Sequence, residues 1–232
     1  MAKGLTPTAV AKLIEHTLLN ADATEAKIKN LCQEAKKFGF GCVVVHPVWV
    51  RFVSQELKDF NIRVGTVCGF PFGANKTSIK VAEAKTARED GATDIDMVLN
   101  IGWLKAGLYK AVQDEIYHVV KVVKQVQSGV TPLVKVIIET CLLTQAEKVK
   151  AAQLIKAAGA DFVKTSTGYL GPGANVADVA LLRQTVGPKF GIKASGGIRT
   201  AAAVKELLKA GANKIGTSAG VKIMQEWLSE LN

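Results

Sequence analysis

One pattern recurs along this chain and narrows its fold more than any other feature. An amphipathic helical segment ends at a glycine, one or two small or polar residues follow, and an apolar run of strand length begins; the glycines are Gly39, Gly91, Gly159 and Gly211. Glycine adopts the left-handed conformation that commonly closes a helix, and the residues after it deliver the chain into a strand. Thr144 with Glu147 has the spacing of a capping box, and the segment behind it sets Val149, Ala152 and Ile155 on one helical face. Val112, Ile116, Val119, Val120 and Val123 form a second such face. Candidate strands fall at 14–18, 42–45, 63–67, 94–98, 133–138, 161–165, 190–194 and 213–216, which makes eight.

Runs such as CVVV and LVKVII are too apolar for a sheet with one wet face and indicate parallel strands covered by helices. Eight units with short connections predict a closed (β/α)8 TIM barrel, a single α/β domain over residues 1–232 with a short extra N-terminal helix. A doubly wound open sheet is the rival, and the first strand carries the weakest signal, because LIEHTLL also suits the end of a helix. The length of 232 residues and a hydrophobic content of 48% suffice for one large core, and no linker or low-complexity tract divides the chain.

Cys32, Cys42, Cys68 and Cys141 stand singly in apolar surroundings without the paired spacing of a zinc site, and are expected as reduced core residues. The N-terminal stretch lacks a basic segment followed by a long apolar run, and no membrane-length segment occurs, so a cytoplasmic location is the default expectation. The net charge of +10 attracts anions, but its lysines are spread along helices and form no arm or stripe; nucleic acid is not an expected partner. His16, His46 and His118 are scattered, no HExxH, CxxC or nucleotide fingerprint appears, and the GPGAN run at 171–175 reads as a plain loop. Neither a metal nor a cofactor is expected.

Barrel chemistry sits at the carboxyl ends of the strands. Three candidates lie there: Asp96 in DIDMVLN, Lys164 in DFVKTSTG and Lys193 in FGIKASGG. Two lysines on consecutive strands suit carbonyl chemistry, because desolvation and a neighbouring cation lower an amine's pKa and the neutral amine is the nucleophile. Asp94 alternates onto the same face as Asp96 and reads as a residue at the start of its strand, whereas Lys135 and Glu139 read as an ion pair inside the barrel or at its mouth. The last two βα connections, KASGGIRT and KIGTSAG, bring Ser195, Gly196, Gly197, Gly216, Thr217 and Ser218 to helix N-termini. Bare N–H groups there bind anions, and TSTG, with Thr167 and Gly168, completes a phosphate cradle.

FPFGANKTSIKVAEAKTAREDGATDIDMVLNIGWLKAG, VKVIIET, DFVKTSTGY, GIKASGGIRT and IGTSAG together resemble the deoxyribose-phosphate aldolase family, from about Leu13 to about Gly220. The resemblance implies a class I aldolase that reversibly cleaves 2-deoxyribose 5-phosphate to glyceraldehyde 3-phosphate and acetaldehyde. It implies Lys164 as the Schiff-base lysine, Lys193 as the second lysine and Asp96 as the acid of a water-mediated proton relay. Gly168, Gly196, Gly197, Gly216 and Ser218 match positions that hold the substrate phosphate. The chain departs from many relatives at Glu15, where aspartate is common, at Val44, where some have cysteine, and in the EWLSELN ending without a tyrosine tail. The expected partners are a phosphosugar, acetaldehyde and further copies of the chain, a dimer being the first expectation. Another phosphosugar barrel lyase or isomerase, and more remotely a basic nucleic-acid-binding protein, are the competing readings.

Overall fold

The computed structural model describes residues 5–126 and 129–230. Eight strands, β1 (Ile14–Leu18), β2 (Cys42–Val45), β3 (Arg63–Cys68), β4 (Asp94–Val98), β5 (Leu133–Ile137), β6 (Phe162–Lys164), β7 (Gly191–Ser195) and β8 (Lys214–Thr217), pair in parallel in chain order, and β8 closes on β1. Around them run α1 (Pro7–Ala11), α2 (Glu25–Phe38), α3 (Val50–Leu57), α4 (Thr77–Glu89), α5 (Ile101–Lys105), α6 (Tyr109–Gln125), α7 (Gln145–Ala157), α8 (Val176–Val186), α9 (Ala201–Ala210) and α10 (Gly220–Ser229). This is the (β/α)8 barrel the punctuation predicts, with α1 as the extra N-terminal helix. The LIEHTLL segment resolves into β1 because α1 stops at Ala11, leaving the strand to pair with β2 from Glu15 onward and with β8 from Ile14.

Local chemistry sets the element ends. Gly39, Gly91, Gly159 and Gly211 all have positive φ and stand at the turn from helix to strand. Thr6 caps α1 through the Ala9 amide, with Pro7 in the first turn, where its missing N–H is harmless. Thr144 and Glu147 complete the capping box of α7, and Asn175 and Thr200 cap α8 and α9.

The strands bury both faces but fill them differently. Ile95 and Met97, Val134 and Val136, Val163, and Ile192 and Ala194 join the hydrophobic layer with the buried sides of the helices. The alternate residues, Asp94 and Asp96, Lys135, Lys164 and Lys193, are buried and bonded to one another across the barrel interior. Beneath them the Phe162 ring packs so closely on β7 that a Cβ at Gly191 would lie 2.3 Å from it. Cys32, Cys42 and Cys68 are buried as expected, but Cys141 is exposed, because it falls in the 3-10 turn Thr140–Leu142 and not in a strand; all four are free.

Candidate active site

Strand register assembles the polar core of the barrel. Lys164 and Lys193 are paired positions on β6 and β7, as are Asp96 and Lys135 on β4 and β5. Asp96 Oδ2 accepts from Lys164 Nζ at 2.7 Å and from Lys193 Nζ at 2.5 Å. Lys193 donates also to Glu15, which reaches over from β1. Lys135 lies against Asp94 by a short contact, 3.3 Å from Glu15 and 3.4 Å from Asp96. Arg63 then closes the set by donating to Asp94 at 2.5 Å. Three lysines are therefore interleaved with three carboxylates inside the barrel.

The electrostatics separate the three amines. All three lose solvation on burial, which lowers an ammonium's pKa. For Lys135 the opposing carboxylates Asp94, Glu15 and Asp96 win, and its pKa rises well above the usual lysine value; for Lys193, Asp96 and Glu15 win and it is raised. Lys164 has one carboxylate in contact. Burial dominates, Asp96 opposes it, the Lys193 ammonium adds to it, and the amine falls to about 8. Burial would raise the Asp96 carboxyl, but Lys164, Lys193 and Lys135 together hold it well below the usual carboxylate range. Lys164 is thus the one of these three lysines that is readily neutral near physiological pH, roughly a tenth of it at pH 7.

A cavity of about 350 Å³ opens above this core and contains Lys164 and Lys193 in its lining. The other walls include Thr167, Gly168, Ser195, Gly196, Gly197, Gly216, Thr217 and Ser218, so the cradle residues expected from the sequence come together with the two lysines. Gly168, Gly196 and Gly197 have φ of 86°, 88° and 73°, which turns successive amides in directions a side-chain-bearing residue rarely permits. Three hydroxyls in this cradle already serve the protein: Ser195 donates to the Ser166 carbonyl at 2.6 Å and Thr217 to the Ile198 carbonyl at 2.7 Å. Thr167 donates to Glu139. The GPGAN run is more than a plain loop, since Gly173 sits where a Cβ would come 2.0 Å from the Gly196 carbonyl, and Ala174 N donates to the Ser195 carbonyl at 3.0 Å. It braces the cradle from behind.

Two expectations change. Lys135 and Glu139 do not pair: Ile138 and Glu139 lie beyond the end of β5, Glu139 turns to the β6 loop, and Lys135 finds its partners on β4 and β1. Asp94 is a buried partner of Lys135 and Arg63 as well as the first residue of β4. Glu15 was visible in the sequence only as a departure from a pattern, and its contact with Lys193 joins residues 178 positions apart. Tyr169, Asn20 and Arg199 also line the cavity without any local signal of doing so, Tyr169 being fixed by donation to the Leu19 carbonyl at 2.6 Å. Glu15, Cys42 and Asp94 cluster as metal ligands do, but the Lys135 ammonium stands beside both carboxylates.

Fold and site define the class: a (β/α)8-barrel enzyme whose buried lysines open into a cavity rimmed by glycine-rich loops. Residues 9–226 match the family model described as DeoC/LacD family aldolase, and the chain belongs to that family. It is 56% identical over 218 residues to the deoxyribose-phosphate aldolase of Thermoanaerobacter sp. (strain X514), covering 94% of this chain and 96% of the relative. It is 50% identical over 223 residues to the enzyme of that name from Lactococcus lactis subsp. lactis (strain IL1403), covering 96% and 99%. The deoxyribose phosphate aldolase of Aeropyrum pernix, described as tetrameric, superposes with a TM-score of 0.89 at 35% identity, covering 97% of this chain and 93% of that one.

Proposed function

We propose that this protein is a class I aldolase that reversibly cleaves 2-deoxyribose 5-phosphate to glyceraldehyde 3-phosphate and acetaldehyde, in the breakdown of deoxyribose phosphates. The observation that carries the reading is the Lys164 amine, brought to about 8 by burial and by Lys193, and opening into a cavity rimmed by the glycine cradle. Family membership and the names of the relatives supply the substrate.

Neutral Lys164 attacks C1 of the open-chain aldehyde, and loss of water leaves an iminium. The C2–C3 bond then breaks, its electron pair flowing into the iminium, while the C3 hydroxyl gives up its proton to form the aldehyde of glyceraldehyde 3-phosphate. A water held by Asp96 and Lys193 carries that proton and returns one to C2 of the enamine. Hydrolysis of the new iminium frees acetaldehyde and regenerates the amine. Asp96 stays ionised and Lys193 charged throughout the neutral range, so the pair orients the water and passes protons without storing charge in a new place. Gly168, Gly196, Gly197, Gly216 and Ser218 receive the phosphate through backbone and hydroxyl donors, with Thr167, Ser195 and Thr217 shaping the loops that present them.

The same reading includes one domain over residues 1–232, self-association as for the Aeropyrum relative, with a dimer as the smallest unit, and a cytoplasmic setting, which four free cysteines suit. Among the described residues no helix is long and apolar enough to cross a membrane. The test is borohydride reduction in the presence of acetaldehyde, followed by peptide mass mapping. A two-carbon adduct on Lys164 is expected; an adduct on Lys193 would exchange the two roles, and none on either would end the Schiff-base reading.

A further inference from the structure

Glu139 is the single non-glycine residue with positive φ among the described residues, at φ 53° and ψ 71°. A side chain in this region crowds its own backbone, and glycine or asparagine would fill the same turn more easily. The backbone on either side is fixed: Ile138 N donates to the Lys164 carbonyl at 3.0 Å and Thr140 N to the Thr165 carbonyl at 2.9 Å. Between these two bonds the left-handed turn aims the Glu139 side chain at the β6 loop. There, with the residue only 1% exposed, one carboxyl oxygen accepts both the Thr167 amide, at 3.2 Å, and the Thr167 hydroxyl. The Thr167 hydroxyl in turn accepts from the Tyr169 amide at 3.1 Å. Three groups of the loop on either side of Gly168 are thereby tied to one buried carboxyl.

Backbone strain persists where the surrounding structure over-determines it, and it concentrates where geometry matters for function. If the chain needed only a turn after β5, no acidic side chain would be required. We propose that Glu139 is a positioning residue for the aldolase reaction, holding the Thr167–Gly168 arm in the shape that receives the substrate phosphate. The assignment rests on the phosphosugar reading above. Glu139 is not among the residues that line the cavity, whereas Thr167 is, so it acts through Thr167.

The experiment compares kcat/KM for 2-deoxyribose 5-phosphate with kcat/KM for unphosphorylated 2-deoxyribose in Glu139→Ala, Glu139→Gln and Glu139→Gly, together with each variant's melting temperature. Glu139→Ala lowers the ratio about tenfold, the effect of one lost buried hydrogen-bonding partner. Glu139→Gln keeps most of the ratio, because a carboxamide oxygen still accepts from Thr167. Glu139→Gly relieves the backbone and melts above Glu139→Ala, yet loses the ratio equally. A Glu139→Gly enzyme with the wild-type ratio would show that position 139 matters only as a turn and would overturn the proposal. If the wild-type enzyme itself does not prefer the phosphorylated sugar, the phosphate reading fails first and the proposal falls with it.

Discussion

Lys164 and Lys193 share a single oxygen: both ammonium groups bond Asp96 Oδ2, at 2.7 and 2.5 Å, from paired positions on neighbouring strands. Because Lys193 also holds Glu15 while Lys164 holds no second carboxylate, the shared contact stabilises the two cations unequally. This asymmetry separates the proposed nucleophile, Lys164, from its neighbour.

The rate should follow deprotonation of Lys164. With its pKa at about 8, kcat/KM rises with pH through that region and levels above it, as measured by steady-state turnover across pH 6 to 10. Lys164→Met lowers kcat at least a thousandfold, on the order seen when a nucleophile is removed. A flat profile between about pH 7 and 9 would contradict the assignment.

Stability carries the same signature with a defined sign. The folded value of Lys164 lies below the ordinary lysine value of 10.5, so between about 8 and 10.5 the unfolded chain holds more protons than the folded one. Stability therefore rises with pH across that window, by on the order of 3 kcal/mol from this group alone. Urea unfolding of wild type and Lys164→Met at pH 7.5 and 10 checks it: the variant lacks this increment.

Lys193→Met removes the cation that helps depress Lys164 and leaves Asp96 to Lys164 and Lys135. The pH–rate profile should move to higher pH while kcat falls by about a hundredfold or more through loss of the proton relay. Acetaldehyde trapping on Lys164 persists at high pH. An unshifted profile would separate Lys193 from the tuning of Lys164.

Glu15 bridges two lysines from a strand that contributes no other charge to the set. Glu15→Gln leaves Lys193 and Lys135 each one carboxylate short in a buried site, so it destabilises by about 3 kcal/mol. Glu15→Asp recovers part of this by keeping the charge. Denaturant midpoints measure both.

Gly216 is closed to larger residues by Lys193, since a Cβ there would lie 2.8 Å from Lys193 Cε. A free lysine would swing aside, but this one is held by Glu15 and Asp96. Gly216→Ala displaces the ammonium and costs about a hundredfold in kcat, with a lowered melting temperature because the displaced ammonium leaves its buried carboxylates.

Most of the barrel was legible because its signals are local. A glycine after a helical stripe, a capping residue three positions before a glutamate and a run of β-branched residues each act within a few positions, and all eight strands lie within a residue or so of where these signals put them. Asp96, Lys164 and Lys193 stood out for a similar reason, as charged residues in apolar strands; Lys164 ends β6, while Asp96 and Lys193 lie in the middle of β4 and β7. The partners were another matter. Lys135 pointed by spacing to nearby Glu139, but the carboxylates that hold it lie on β4 and β1.

The sequence by itself determined the alternation of helix and strand, the parallel sheet and the presence of two lysines and an aspartate within apolar strands, because periodicity and turn chemistry are written in adjacent residues. Only the tertiary structure decided which amine loses its proton most readily, that Glu15 completes the set and that Glu139 grips Thr167. Those facts depend on barrel closure, which brings β1 against β8 and sets the register between strands. The competition between desolvation and opposing charge that tunes each amine is a sum over neighbours distant in the chain, and it has no value until the barrel is closed.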